Sequence, residues 1–377
     1  MILTTLLATA VIDSMFAGGP FQVGNVDSSL HEISGMAASH SVPELFWAVN
    51  DSGDGPVLYG MNTVGTVVRR WRLDGASNVD WEDGAYGPSR SGDTSVRYVY
   101  VADIGDNDAK RSTIRIYAVA ELPYADTASV RFTWQTLMYP DGPRDAETLL
   151  CDPRTGDLFI VTKRERRNRL YRVPMPTDGI DTLQFVTELP FMLATAGDVS
   201  PDGNIVVVKN YMYTYAWRRG PSESIADALR RTPQTMPYMP EPQGEAIAFS
   251  SDGTSYLTAS ERNAGDATVP IYGYPLAGTS REAAQLRDVR RPQLSIAPLS
   301  DKQGWYALRY TVPGESSIQL YVRNVLGMKA RIIADKTLEA GLQERDVDLS
   351  MLAPGDYVLV LRTRDFYQAL PFAIMAR

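Results

Sequence analysis

Apolar and polar residues alternate in short runs along most of this chain, and Gly, Asp, Asn and Pro bound the runs, as in half-buried antiparallel strands joined by tight turns. Three segments align on a turn between two apolar strands: ETLLCDPRTGDLFIVTK (Glu147 to Lys163), DVSPDGNIVVVKN (Asp198 to Asn210) and EAIAFSSDGTSYLTAS (Glu245 to Ser260). Two looser copies are EISGMAASHSVPELFWAVND (Glu32 to Asp51) and EDGAYGPSRSGDTSVRYVYVAD (Glu82 to Asp103). Each reads acid, strand, turn, strand, and the Asp-Gly and Thr-Gly turns suit connections that need positive φ. A third strand with an aromatic follows each copy (VLYGMN, TIRIYAV, RLYRVP, YTYAW, PIYGYP), and usually a fourth, such as TVVRRWRL, VRFTWQTLMY or LQFVTEL. Four antiparallel strands recurring at intervals of 47 to 65 residues predict an all-β fold, a β-propeller of five blades, with six left open, over residues 20–290. FQVGNV (Phe21 to Val26) precedes the first acid and is expected to complete the last blade and close the ring, which removes exposed strand edges. The best helical stretch, Ser224 to Arg231, is only about two turns long.

Past the basic segment Arg287 to Gln293 the pattern changes to WYALRYTV, SIQLYVRNVLG, KARIIAD, ERDVDLS and DYVLVLRT, which predicts a small antiparallel β-sandwich over residues 293–377. Charge changes at the same place: from Gln293 onward there are 10 basic and 9 acidic residues, against 27 and 36 before it. At the other end, Met1 to Ala17 is mostly apolar and ends in small residues, as a secretory signal does, although no Lys or Arg precedes the apolar run and Asp13 interrupts it. No other stretch reaches the roughly 18 apolar residues needed to span a bilayer, so no transmembrane segment is expected in the mature chain.

The C-terminal residues carry a family resemblance. Tyr310-Thr311-Val312-Pro313, Leu320-Tyr321-Val322-Arg323-Asn324-Val325-Leu326-Gly327, Gly341, and Asp348-Leu349-Ser350-Met351-Leu352-Ala353-Pro354-Gly355-Asp356-Tyr357 resemble the C-terminal sorting domain of the type IX secretion system. Asn324 departs from the Asp common there, and basic residues are sparse before the final FAIMAR. The resemblance implies a sandwich whose Gly355-Asp356-Tyr357 turn starts the last long strand. It also implies passage through the periplasm and the type IX translocon of a Gram-negative bacterium, to a secreted or cell-surface location, usually with removal of the tail.

Composition narrows the chemistry. The chain of 377 residues has 45 acidic and 37 basic side chains, a net charge of -8, and so lacks the basic footprint that nucleic acid requires. With Cys151 the single thiol and His31 and His40 the only imidazoles, a disulfide framework is excluded and a Cys/His zinc cluster has too few ligands. No Gly-x-Ser-x-Gly elbow exists, and a Ser-His-Asp triad has little material.

In a propeller the first strand of each blade lines the central channel. One acid stands at the entry of each: Glu32, Glu82, Glu147, Asp198 and Glu245, the candidate metal ligands. Such a ring is costly unless compensated, and hard oxygen ligands suit Ca²⁺ or Mg²⁺. The alternative use of these acids is to accept backbone N–H bonds between blades. Asp80, Trp81, Asp103, Arg144, Asp145, Lys163 and Asn210 are candidate ligand-binding residues on the same face: carboxylates and the amide for hydrogen bonding, cations for an anionic group or for neutralising the ring, and Trp81 for stacking on a sugar or ring. The blade pattern resembles secreted propellers of the gluconolactonase, phytase-esterase and TolB-like kind, which use channel acids around a divalent ion. Two functions follow as expectations: an exported module binding an extracellular small molecule or glycan at an acidic, cation-holding channel mouth, or a metal-assisted hydrolase of esters, lactones or phosphoesters. A glycoside hydrolase using paired carboxylates is a third route.

Overall fold

Among the described residues the fold is all-β, with one short helix. The computed structural model describes residues 20–375 apart from 92, 94, 122–129, 264–265, 267, 278–293, 313 and 364–366. The apolar leader Met1 to Ala17 and the basic segment Arg287 to Gln293 therefore lie outside the described residues.

β1 (Phe21–Asn25) leaves its sequence neighbours and pairs at the far end of the fold. The first sheet is β2 (Ile33–Ala38), β3 (Leu45–Asn50), β4 (Val57–Asn62) and β5 (Val67–Arg72), in that order. The second is β6 (Trp81–Pro88), β7 (Arg97–Asp103), β8 (Ile114–Ala120) and β9 (Phe132–Met138). The third is β10 (Ala146–Cys151), β11 (Leu158–Thr162), β12 (Arg169–Arg172) and β14 (Gln184–Glu188), while β13 (Ile180–Thr182) crosses back to lie parallel on β9. The fourth is β15 (Ala194–Val199), β16 (Ile205–Asn210), β17 (Thr214–Arg218) and β18 (Gln234–Met236), with α1 (Ile225–Leu229), capped by the Ser224 hydroxyl, between the last two. In the fifth, β19 (Gly244–Phe249), β20 (Ser255–Ser260) and β21 (Pro270–Pro275) are completed by β1, antiparallel on β21 as expected for FQVGNV.

The first strands β2, β6, β10, β15 and β19 each pack on the next, and β19 packs on β2. Five apolar cores lie between successive sheets. Trp47 and Trp71 meet Tyr117 between the first and second, Ile116 meets Leu149 and Ile160 between the second and third, and Leu150 meets Val206 and Trp217 between the third and fourth. Val207 meets Ile247 and Tyr256 between the fourth and fifth, and Met36 meets Ala246 and Ile271 between the fifth and first. Sheets approach this closely because the first strands use small residues: a Cβ on Gly35 would come 2.5 Å from the Asp83 Cα.

Two aspartates tie neighbouring sheets together. Asp83 accepts from the Gly84 amide (2.8 Å) and, across the gap, from the Leu149 amide (2.8 Å). Asp198 does the same with Val199 (2.7 Å) and Phe249 (2.7 Å). A stranded buried amide costs about 1–3 kcal/mol, so Asp83→Ala is expected to lose several kcal/mol in a urea melt. Asp83→Asn, which keeps one acceptor oxygen, is expected to lose about half as much. Equal midpoints for Asp83→Ala and the parent would show the tie to be unimportant.

The remaining strands form two antiparallel sheets: β22 (Leu294–Pro298), β23 (Trp305–Val312) and β26 (Gly341–Asp348) in one, β25 (Lys329–Leu338), β24 (Ser316–Asn324), β27 (Gly355–Arg362) and β28 (Tyr367–Ile374) in the other. Leu308, Tyr310 and Val312 from the first face Ile318, Leu320 and Leu359 from the second across one core. Gly355-Asp356-Tyr357 starts β27, but β27 is not the last long strand, because β28 follows at equal length. The alternating partners on the second sheet are buried too. Tyr321, Val358, Val360 and Ala369 join Met236, Met239, Tyr272 and Tyr274 in the core of the fourth and fifth sheets. Arg323 anchors this contact by donating to the carbonyls of Pro242 (2.7 Å) and Glu241 (2.5 Å), Tyr367 donates to Pro240 (2.8 Å), and Arg362 pairs with Asp266.

Candidate functional site

Every first strand breaks its pairing register at the same place. The shift falls between Ile33 and Gly35, Trp81 and Asp83, Ala146 and Thr148, Ala194 and Ala196, and Gly244 and Ala246. A bulge leaves one residue unpaired and re-aims its side chain, and the bulged residues are Ser34, Glu82, Glu147, Thr195 and Glu245. Three of the expected ring acids are among them. Glu32 and Asp198 are not. Glu32 stands two positions before its bulge, equivalent to Asp80 and Asp145, and lies half-exposed, 3.7 Å from His31. Asp198 stands three positions after its bulge, and both its oxygens are spent on the backbone ties described above. The two residues missed by taking one acid per repeat, Ser34 and Thr195, donate to the carbonyls of Trp81 (2.8 Å) and Gly244 (3.1 Å) on the next sheet. Two signals would have found them: the two-residue spacing from an entry acid, which Asp80–Glu82 and Asp145–Glu147 share with Glu32–Ser34, and the distance to the turn, since Thr195 stands eight residues before Gly203 as Glu245 does before Gly253.

The carboxylates gather in two overlapping groups. Oxygens of Asp51, Asp80 and Glu82 lie within 4.8 Å of one another, and so do those of Glu82, Asp145 and Glu147. Gly105 leaves room for this, since a Cβ there would strike both Glu82 Oε1 and Asp80 Oδ2. Either group could hold a metal ion. The second is already served by protein donors: Lys163 pairs with Glu147 and lies 3.7 Å from Glu245, Arg164 pairs with Asp145 (2.6 Å), and the Asp106 amide donates to Asp145 (2.9 Å). The first group has no ion pair to Lys or Arg among the described residues. Burial, then the proximity of Glu147 and Asp51, pushes the Glu82 carboxyl well up. Burial, with Asp80 and Glu245 nearby, pushes Asp51 up to about 7, and burial also raises Asp80. In addition, Glu147 Oε2 is buried with no hydrogen-bond partner.

Around these acids, Tyr211 donates to Glu245, and Gln243 donates to Glu261 (2.7 Å). Burial and Glu245 push Glu261 up to about 10. Lys209 is fully buried, donates to Thr195 Oγ1 (3.1 Å) and the Gly244 carbonyl, and is pushed down to about 8 by that burial.

Other expected ligand residues have structural work instead. Trp81 is fully buried in the core between the first and second sheets, its Nε1 donating to Ser77 O (3.0 Å), so it offers no stacking face. Asp103 pairs with Arg111 (2.7 Å) and accepts the Asp80 amide (3.2 Å). Arg144 is held by Asp141 and Glu165 (2.7 Å each). Asn210 closes a turn by accepting the Met212 and Tyr213 amides. Asp54 and Asp106, in the Asp- and Gly-rich stretches NDSGDG and DIGDND, likewise accept turn amides.

No protein-family model matches the sequence, and neither does any curated protein. Among solved structures, the chain is similar to hydrazine synthase from Kuenenia stuttgartiensis at 10% identity and a TM-score of 0.27, over 78% of this chain and 60% of that one. It is similar to a functionally unknown protein from Desulfotomaculum acetoxidans at 12% identity and 0.35, over 65% and 72%, and to a luciferin-regenerating enzyme at 10% identity and 0.37, over 69% and 96%. The chain thus spans 60% of the length of the hydrazine synthase chain, and likeness at these levels carries no information about chemistry.

Proposed function

We propose that the five four-stranded units are the blades of a five-bladed β-propeller closed by β1, and that its channel mouth holds a divalent cation, Ca²⁺ or Mg²⁺, through Asp51, Asp80 and Glu82. The module presents that ion to an extracellular small molecule or glycan. The observation that carries the reading is the convergence of three carboxylates, one buried and two partly, with no basic side chain paired to any of them among the described residues. Like charges at this spacing repel, and burial adds desolvation, so either protons or a cation must compensate. Oxygens up to 4.8 Å apart are within reach of Ca²⁺ with bonds of about 2.3–2.6 Å, whereas Mg²⁺ at about 2.1 Å needs them drawn closer. The cyclic packing of first strands and the five inter-sheet cores support the propeller.

Binding is favoured over hydrolysis of esters, lactones, phosphoesters or glycosides. Asp145, Glu147 and Glu245, beside the ion-holding set, are engaged by Arg164, Lys163 and Tyr211 respectively, which makes them poorer candidates for a general base. The C-terminal sheets are proposed as the type IX sorting domain and the chain as a secreted or surface protein of a Gram-negative bacterium, supported by the sequence resemblance and by the face-to-face pair of sheets. The test of the site is a titration of metal-stripped protein with Ca²⁺ and Mg²⁺, followed by calorimetry. Absence of heat and of any stability change for both ions would refute it.

A further inference from the structure

Where the turn joining β24 and β25 meets the entry to the fifth sheet there is a cleft of about 510 Å³, within the roughly 300–1,000 Å³ of small-molecule sites. Its charge is opposite to that of the chain. Lys163, Arg164, Arg323, Lys329 and Arg362 line it and no Asp or Glu does, in a protein with eight more acids than bases. Three of the five are held in place by carboxylates outside the lining: Lys163 by Glu147, Arg164 by Asp145, Arg362 by Asp266. Arg323 spends its Nη groups on two carbonyls, so no carboxylate is paired with its charge. Lys329 stands 4.6 Å over the Tyr321 ring with no ion pair among the described residues. Tyr211, Tyr321, Leu326 and Met328 supply apolar wall. Leu326 and Met328 remain more than half exposed.

The geometry points to a second binding site, built jointly by the C-terminal sheet and the sheets before it, for a small molecule bearing an oxyanion (carboxylate, phosphate or sulfate) beside an apolar or aromatic group. Lys329 offers a charge-assisted hydrogen bond to the anion, the other cations add positive charge beside it, and the tyrosines and Met328 cover the body. Only the C-terminal sheet supplies Lys329 and Arg323, so the site exists only while that sheet stays docked. It does not depend on a cation at Asp51, Asp80 and Glu82.

Calorimetric titration of the full chain in EDTA with phenyl phosphate, benzoate and benzyl alcohol tests this. Saturable binding of phenyl phosphate or benzoate, and none of neutral benzyl alcohol, is expected. Which of the two anions binds more tightly distinguishes a phosphate-type from a carboxylate-type ligand. Lys329→Glu, at an exposed position, is expected to weaken the anion about tenfold or more with an unchanged melting temperature, and Lys329→Arg to restore it. Absence of saturable anion binding, equal binding of the alcohol, or an affinity unmoved by Lys329→Glu would overturn the site. Binding seen only with added Ca²⁺ would also overturn it, because the anion would then be riding on the ion at the acid cluster.

Discussion

Calcium added to metal-stripped protein at pH 8 is expected to raise its melting temperature by about 3 °C. An ion at a hundred times its Kd stabilises the folded state by about 2.7 kcal/mol, and with roughly 2.1 cal/mol/K of unfolding entropy per residue, each kcal/mol moves the transition of a 377-residue chain by about 1.3 °C. The pH dependence has a definite sign. Asp51 is held near 7 and Glu82 well above the usual carboxylate range, in both cases mainly by burial. A carboxyl raised on folding contributes stability while protonated, below its unfolded value of about 4, and loses it as pH climbs through the folded value. The metal-free protein should therefore lose stability between about pH 4 and 7, and calcium should abolish the loss because the ion replaces the protons. Calcium affinity should fall in turn as pH drops below 7. Asp51→Asn combined with Asp80→Asn is expected to remove the calcium response and to make the metal-free protein more stable at pH 8, since it removes repulsion rather than a bond. A calcium response unchanged in that double variant would place the ion elsewhere.

Deleting residues 294–377 is expected to have the larger effect on the fold. The deletion uncovers Met236, Met239, Tyr272 and Tyr274, which now pack on Tyr321, Val358, Val360 and Ala369. It also strands the carbonyls of Glu241 and Pro242 that Arg323 satisfies. Hydrogen bonds from a charged donor contribute about 1.5–3 kcal/mol each, and burial of a large apolar side chain contributes a similar amount. The loss is then on the order of 5–10 kcal/mol, comparable to the whole stability of a typical domain. A truncated protein that loses its cooperative melt, or forms soluble aggregates on a sizing column, is the expected outcome. A cooperative melt within a few degrees of the full chain would mean that the tail is dispensable, as a sorting domain removed after export must be. The same measurement thus bears on the proposed export route: a strongly dependent core calls for the tail to be retained, or for another surface to cover that face.

The repeat was legible because its signals are local. Turn residues at Gly156, Gly203 and Gly253 take positive φ, and alternation of side chains marks the strands on either side of each turn. Lys163 beside the acid at Glu147 was legible too, from its place at the end of the second strand. Asp198 shows where the local reading ran out. It is the acid ahead of its strand–turn unit, but it stands five residues before Gly203, against nine for Glu147 before Gly156 and eight for Glu245 before Gly253. Counted from the bulge, it is three residues too late and points at the next sheet. A strand has period two, so a small error of register exchanges one face of the sheet for the other. Trp81 failed for a related reason: it neighbours Glu82, whose carboxyl joins the acid cluster, while its own ring lies in the core between the first and second sheets.

What the sequence by itself determined is an all-β chain of repeated strand–turn–strand units, an acidic first part whose one thiol and two imidazoles are too few for a Cys/His metal cluster, and a second group of strands after residue 293. These follow from spacing, turn chemistry and composition, all of which act over a few residues. Only the tertiary structure decided that Asp51 joins Asp80 and Glu82 while Asp198 does not, and that a basic cleft forms against the C-terminal sheet. Those outcomes depend on bulge register and on packing between segments up to about two hundred residues apart, where the positions of side chains are set by contacts that no local pattern encodes.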